Sequence, residues 1–261
     1  MPFDIKKAYD LRGKTAYVPA GYGCIGGAIA EGLASCGANV VVSGRKKEKA
    51  EAFAAKLKAA GHEASGVAMD ANSVVDIRES VDFVVKEYGR VDILVNCVGI
   101  NIEFPMQEFT EEAFDEVYRV NLKAAMFLGQ QCARHQIKAG AGGKQVHILS
   151  VRSQLALRGR GYSAYCATKA GLALLLKQHA MELAPHKINV NGVAPTFVYT
   201  DMVTTMLADD NFRNSLLARI PLGRIANPED MVGPALFLCS GASDFVTGQV
   251  VFADGGVTAC Q

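Results

Sequence analysis

Short apolar runs alternate with longer amphipathic stretches along most of this chain. The runs at 15–18, 39–43, 64–69, 93–96, 145–150, 189–194 and 249–253 are rich in Val, Ile and Ala and predict seven strands. The stretches 26–36, 46–60, 74–88, 110–136 and 162–183 predict helices, and 110–136 is long enough to carry a bend. Strand–helix alternation of this kind predicts an α/β fold, a doubly wound parallel sheet of about seven strands with helices on both faces. No internal repeat, low-complexity segment or linker interrupts the pattern, so one domain over 1–261 is expected. The least regular part, 195–228, is long enough to form a lid over a substrate.

Composition narrows the partners. Half of the 261 residues are hydrophobic, enough for a sizeable core. The net charge of +1 gives no reason to expect nucleic acid or an anionic membrane surface. No run of 18 apolar residues occurs, so no transmembrane helix is expected, and the N-terminal segment lacks the apolar core of a signal peptide. The seven cysteines are odd in number, scattered and never spaced Cys-x-x-Cys, which predicts free thiols in a reducing cytoplasm. The five histidines show no ligand spacing, so no structural metal is expected.

Two local patterns bring candidate chemistry. Between the first strand and the first helix stands Gly21-Tyr22-Gly23-Cys24-Ile25-Gly26, a Gly-x-Gly-x-x-Gly turn. Glycines there permit a tight turn and let a pyrophosphate approach a helix N-terminus, so Gly21, Tyr22, Cys24, Ile25 and Gly26 are expected at a dinucleotide and the sheet is expected to be Rossmann-type. The second strand ends at Ser43-Gly44-Arg45-Lys46, without the acid that would hold the ribose hydroxyls of NAD. Arg45 and Lys46 suit a 2′-phosphate, which favours NADP over NAD; the alternative is a basic helix start on the surface.

The second pattern is Tyr165-Cys166-Ala167-Thr168-Lys169. Residues four apart share one helix face. A free tyrosine loses its proton near pH ~10, and a cationic neighbour favours the phenolate and lowers that value. A tyrosine tuned in this way can pass a proton near neutrality, as carbonyl reduction or alcohol oxidation requires. Such pairs also arise by chance on solvated helix faces, so the neighbours decide.

From Leu11 to the C-terminus the chain resembles the short-chain dehydrogenase/reductase family. The residues that carry the resemblance are Leu11-x-Gly13-Lys14, the glycine loop, Asp70, Asn96-Cys97-Val98-Gly99, Asn121, Ser150, Tyr165-x-x-x-Lys169, Asn189-Val190-Asn191, Ala194-Pro195 and Asp254-Gly255-Gly256. The resemblance implies a tetrad. Tyr165 would be the general acid/base, Lys169 would lower its pKa and hold the nicotinamide ribose, Ser150 would bind the substrate oxygen, and Asn121 would fix a kink and a water. It also implies that Asp70 and Ala71 contact the adenine, and that Asn96, Val98 and Gly99 lie beside the cofactor ribose. Pro195, Val198 and Thr200 would bind the carboxamide and nearby phosphate. Without the family match, Asn121 reads as a helix-kink residue, Asp70 as a turn former and Thr200 as a helix N-cap.

The chain departs from the family pattern at several points. Pro19-Ala20 replaces the usual Thr-Gly, Cys24 the middle glycine of the loop, Val98 an alanine, and Thr196 the glycine after Pro195. Ala20 and Cys24 are expected to crowd the pyrophosphate. Ser150 precedes Tyr165 by 15 residues, two more than is common in the family, and Ser153 competes for its role.

The substrate is expected to be a small-molecule alcohol or ketone, most plausibly a sugar, polyol or sugar acid. The stretches Phe245–Ala259 and Gly99-Ile100-Asn101 resemble the gluconate 5-dehydrogenase branch. Three arginines, Arg152, Arg158 and Arg160, flank the site; Arg152 is the candidate for meeting a carboxylate, and the alternative is that all three face solvent or a neighbouring subunit. Phe104, Phe197, Met202 and Met206 are candidates for an apolar pocket or for core and lid packing. A 3-oxoacyl or cyclic-ketone substrate, and a cofactor-binding protein without turnover, are the competing readings. The resemblance implies a homotetramer.

Overall fold

A computed structural model describes residues 4–200, 203–204 and 207–260. Its centre is a seven-stranded sheet in the order β3-β2-β1-β4-β5-β6-β7, parallel throughout. The strands are β1 Thr15–Pro19, β2 Asn39–Gly44, β3 Ala64–Ala68, β4 Ile93–Asn96, β5 Gly143–Ile148, β6 Ile188–Pro195 and β7 Val250–Ala253. Chain progression reverses between β1 and β4, which Ala16↔Ile93 and Tyr17↔Leu94 hold in register. A crevice opens at the C-terminal ends of the strands at such a switch point.

Helices cover both faces. On one face, α2 Cys24–Ser35 and α3 Lys47–Ala59 pack with a late helix, Val232–Cys239, over Val18, Val40, Val42 and Val95. On the other lie α4 Val74–Tyr88, α6 Ala124–Ala139 and α7 Ser163–Leu183, over Val41, Leu94, Val190 and Ala194. Strands covered on both sides read as continuous apolar runs, and all five β1 positions are buried. Helix α4 shows why these segments coil. Ile77, Val81 and Val84 form one buried stripe, Ser73 caps the Asp76 amide, and Gly89 closes the end at φ 77°.

The bend expected within 110–136 is a π-helical segment. Helix α5 Glu111–Tyr118 runs through Arg119–Lys123 into α6, and the wider turn carries Asn121. Three helices were not foreseen. Ile5–Ala8 (α1) is a single turn capped by Asp4. Asp210–Leu217 (α8) falls inside the stretch expected to be irregular. Val232–Cys239 (α9) is too uniformly apolar, and has Pro234 in its first turn, to show a helical stripe. Met202 and Met206, candidates for an apolar pocket, lie outside the described residues. No described helix is long and apolar enough to cross a membrane.

Candidate active site

The glycine loop is shaped by what cannot fit beside it. A Cβ on Gly26 would stand 2.4 Å from the Ala20 carbonyl oxygen, and one on Gly21 would stand 2.5 Å from that of Val18. The turn that brings these groups together places Ala20 at φ 58°, the left-handed region that favours glycine. Helix α2 follows with Gly23 as its N-cap and no side-chain capping bond, so its first-turn amides stay available to an anion. Gly21 and Gly26 thus act through their backbone, while Cys24 is exposed at the helix start.

Beyond the loop a cavity of about 220 Å³ runs between the ends of β1, β2 and β4, lined by Tyr22, Arg45, Asp70, Ala71, Val98 and Gly99 among others. Tyr22 covers Gly44, where a Cβ would meet its ring at 2.5 Å, and its hydroxyl accepts the Lys46 amide at 3.2 Å. Asp70 accepts the Asn72 amide at 2.9 Å, a turn-forming bond. A dinucleotide fits this end of the crevice: the glycines make room for a phosphate, and Arg45, which has no carboxylate partner among the described residues, lines the same cavity. Besides Gly21, Cys24 and Gly26, three more expected cofactor residues, Ser43, Lys46 and Asn96, line neither this cavity nor the next. Ser43 is fully buried and its hydroxyl pairs with that of Tyr17 at 2.7 Å. Lys46 is exposed outside the cavity. Asn96 is buried, accepting the Val98 amide at 3.1 Å and donating to His147 Nδ1 at 3.2 Å, so it shapes the strand end.

Val98, Gly99 and Ile100 also border a second cavity of about 240 Å³, which makes one continuous crevice. Ile25, Ser150, Arg152, Tyr165, Lys169, Pro195, Val198 and Thr200 converge on it. Tyr165 and Lys169 come from successive turns of α7 and Ser150 from the end of β5. Lys169 Nζ donates to the Ile148 carbonyl at 2.9 Å and lies 5.7 Å from the Tyr165 ring centroid. A Cβ on Gly99 would crowd that ammonium at 3.3 Å. Asn121 accepts the Ile100 amide at 2.8 Å and donates to the Ile100 carbonyl at 2.9 Å and to Thr168 Oγ1 at 3.2 Å. It ties the cleft loop to α7 from behind, without lining the cavity. Ser153 gives its hydroxyl to the Ser150 carbonyl at 2.8 Å and does not line the cavity either, which leaves Ser150 as the serine at the site.

Burial raises the Tyr165 phenol to about 12; the Tyr162 hydroxyl adds to the rise, and the Ser150 hydrogen bond and the Arg152 charge oppose it. Lys169 is itself lowered to about 8 by burial. Desolvation disfavours the charged form of each of the two groups.

Of the three flanking arginines only Arg152 reaches the cleft. It is 6 % exposed, and Nη1 donates to the carbonyls of Leu155 at 3.2 Å and Ala156 at 2.7 Å. Arg158 is exposed, and Arg160 pairs with Glu103 at 2.6 Å. Phe197 lines the cleft, whereas Phe104 packs edge-on against Phe109 away from it. Sequence reasoning missed Tyr162, whose ring meets that of Tyr165 edge-to-face at 5.8 Å, and also Thr196, Asn101 and Val203. Tyr162 lies three residues before Tyr165, a spacing that could have flagged it. Among the described residues no three His, Cys, Asp or Glu side chains gather as metal ligands.

The chain is similar in sequence and shape to known proteins. A family model described as Enoyl-(Acyl carrier protein) reductase matches residues 20–258. Gluconate 5-dehydrogenase of Gluconobacter oxydans is 38% identical over 250 residues, covering 96% of each chain. 5-Keto-D-gluconate 5-reductase of Escherichia coli is 34% identical over 250 residues, covering 95% of this chain and 97% of its own. The crystal structure of a gluconate 5-dehydrogenase from Burkholderia cenocepacia, in complex with NADP and tartrate, superposes with a TM-score of 0.94 at 34% identity, covering 99% of this chain and 100% of that one.

Proposed function

The chain belongs to the short-chain dehydrogenase/reductase family, and on that premise we propose that it is an NADP(H)-dependent oxidoreductase interconverting a secondary alcohol and a ketone on a sugar acid. The observation that carries this reading is the convergence of Ser150, Tyr165 and Lys169 on a cleft continuous with the glycine-loop cavity. In the reducing direction Ser150 Oγ holds the carbonyl oxygen and the Tyr165 hydroxyl donates its proton to it; in the oxidising direction Tyr165 takes that proton back. NADP(H), when bound, exchanges a hydride with the substrate carbon. Tyr22, Arg45, Asp70 and Ala71 would hold its adenosine end, the α2 amides its pyrophosphate, and Gly99, Lys169, Pro195, Val198 and Thr200 its nicotinamide end. Asn121 holds Ile100 and Thr168 in place and so sets the distance between the cleft loop and α7.

The sugar-acid substrate is supported by the names of the relatives and by Arg152 at the cleft. NADP over NAD is supported by Arg45 and by the NADP in the Burkholderia structure. Calorimetric titration tests the cofactor: NADPH should bind at least about tenfold tighter than NADH, in line with a charge-assisted phosphate contact. Turnover of gluconate with NADP, or of 5-ketogluconate with NADPH, tests the substrate, and absence of both would sink the sugar-acid reading.

The chain reads further as one cofactor-binding and catalytic domain in which 195–228 covers the substrate. Homotetramer assembly is supported by exposed apolar side chains on the long helices, Ile137 on α6 and Leu174 and Met181 on α7; light scattering giving a monomer would reject it. A cytoplasmic location is supported by seven unpaired cysteines, and recovery of the protein outside the cytosolic fraction would reject it.

A further inference from the structure

A second cavity adjoins the catalytic one. It encloses about 350 Å³, and Arg152 and Thr196 border both. Its far wall carries Arg219, on the turn that follows α8. Much of the remaining lining is apolar, with Leu155, Leu216, Ile220 and Val257.

The Arg152 guanidinium is unusual for what it lacks. Nearby, Arg160 is paired with Glu103, Arg213 with Asp210 and Arg224 with Asp230. Among the described residues, neither Arg152 nor Arg219 has a carboxylate. Arg152 is nevertheless almost fully buried, and Arg219 stands near enough for its charge to add to burial in lowering the Arg152 pKa. A buried cation without a counter-ion is costly, and a second cation facing it makes it more so. Only Nη1 of Arg152 is spent on the loop carbonyls, which leaves Nε and Nη2 with donors to give. A carboxylate in this apolar-walled cavity would offset both charges and accept charge-assisted hydrogen bonds.

We propose that Arg152 and Arg219 form a carboxylate subsite, which holds the acid group of a substrate whose reacting carbon sits at Tyr165. This rests on the reading of the chain as an alcohol/ketone oxidoreductase and adds what that reading does not contain: a second cavity and a second arginine. The enzyme then selects an acid over the matching neutral compound, and Arg219 is a specificity-determining residue. Arg219 is exposed, so its replacement leaves the fold intact.

The test compares gluconate with gluconamide, in which a neutral carboxamide of similar size replaces the carboxylate. In the wild type kcat/KM should favour gluconate. Arg219→Gln should lower kcat/KM on gluconate about tenfold, through KM, and leave gluconamide within about twofold; Arg219→Lys should restore part of the loss. An equal effect on both compounds, or none on either, overturns the subsite while leaving the sugar-acid reading intact. If the wild type turns over neither compound, 5-ketogluconate with NADPH decides the sugar-acid reading, and malonate binding to the NADPH complex decides the subsite alone. Malonate binding weakened about tenfold by Arg219→Gln supports the subsite, whereas no binding or an unchanged affinity overturns it.

Discussion

The two ends of the crevice are built by different means. At the glycine loop the backbone is the site: Gly21 and Gly26 contribute the absence of a Cβ, and the α2 amides contribute donors. At α7 side chains are the site: Tyr165, Lys169 and Ser150 contribute the chemistry, and burial sets their protonation. The requirement at the first end is steric and local, so a departure can be judged from one dihedral angle and one distance. The requirement at the second is electrostatic and collective, since strands and helices remote in sequence decide how much water reaches each group. A residue change should therefore act on folding and cofactor binding at one end and on rate at the other.

The largest test of that division is Tyr165→Phe. It removes the hydroxyl and keeps the ring, so NADPH affinity should stay within a few-fold while kcat falls by about a thousandfold, within the range of general acid–base contributions. Burial raises the Tyr165 phenol to about 12, which favours the neutral, proton-donating form near neutrality. The oxidation kcat/KM should rise from about pH 7 to 8, because the phenolate fraction grows with each unit, and level off above it, while the reduction should stay flat to about pH 8 and fall above it, as the Lys169 ammonium at the nicotinamide end loses its proton. A Tyr165→Phe enzyme that keeps its rate, or oxidation that declines as pH rises, would move the proton transfer to another group.

The middle test is at the loop. Gly26→Ala places a methyl 2.4 Å from the Ala20 oxygen, and Gly23→Ala places one 3.4 Å from the same atom. The first requires backbone to move and should cost roughly 2–3 kcal/mol in urea unfolding together with most of the cofactor affinity. The second should cost under about 1 kcal/mol. Similar losses in the two variants would mean that the close approach at Gly26 does not define the loop.

What was legible in the sequence follows the same line. Strand–helix alternation is a short-range signal, and the seven strands and their parallel sense followed from it. Tyr165, Lys169 and Ser150 were legible as residues, but the direction of the Tyr165 shift was not, because the burial that sets it comes from segments remote in sequence that line the same cleft. Ser43 could not be placed either: strand alternation decides which way its side chain points, and Tyr17 claims its hydroxyl in the core. The unpaired Arg219 lay in a stretch expected to be irregular, where no periodicity marks a face.

The smallest effect sharpens the comparison most. Ala20 stands where the family has glycine, and the loop keeps its turn by holding alanine at φ 58°. Left-handed geometry costs a non-glycine residue about 1–2 kcal/mol. Ala20→Gly relieves that strain, but it adds about 0.5–1 kcal/mol of chain entropy in the unfolded state. It also removes a methyl that packs beside Val98 and Met69 at the rim of the adenosine cavity. The terms leave a net gain of about 0.5 kcal/mol, which for a chain of this size is a rise in Tm of roughly 1–2 °C. NADPH affinity should rise with it, since the methyl lines the same cavity. If Ala20→Gly instead lowers both stability and affinity, the methyl is a packing contact that the loop relies on. The glycine-loop end would then be set by side chains as much as the α7 end is, and the division between the two would fail at its most local point.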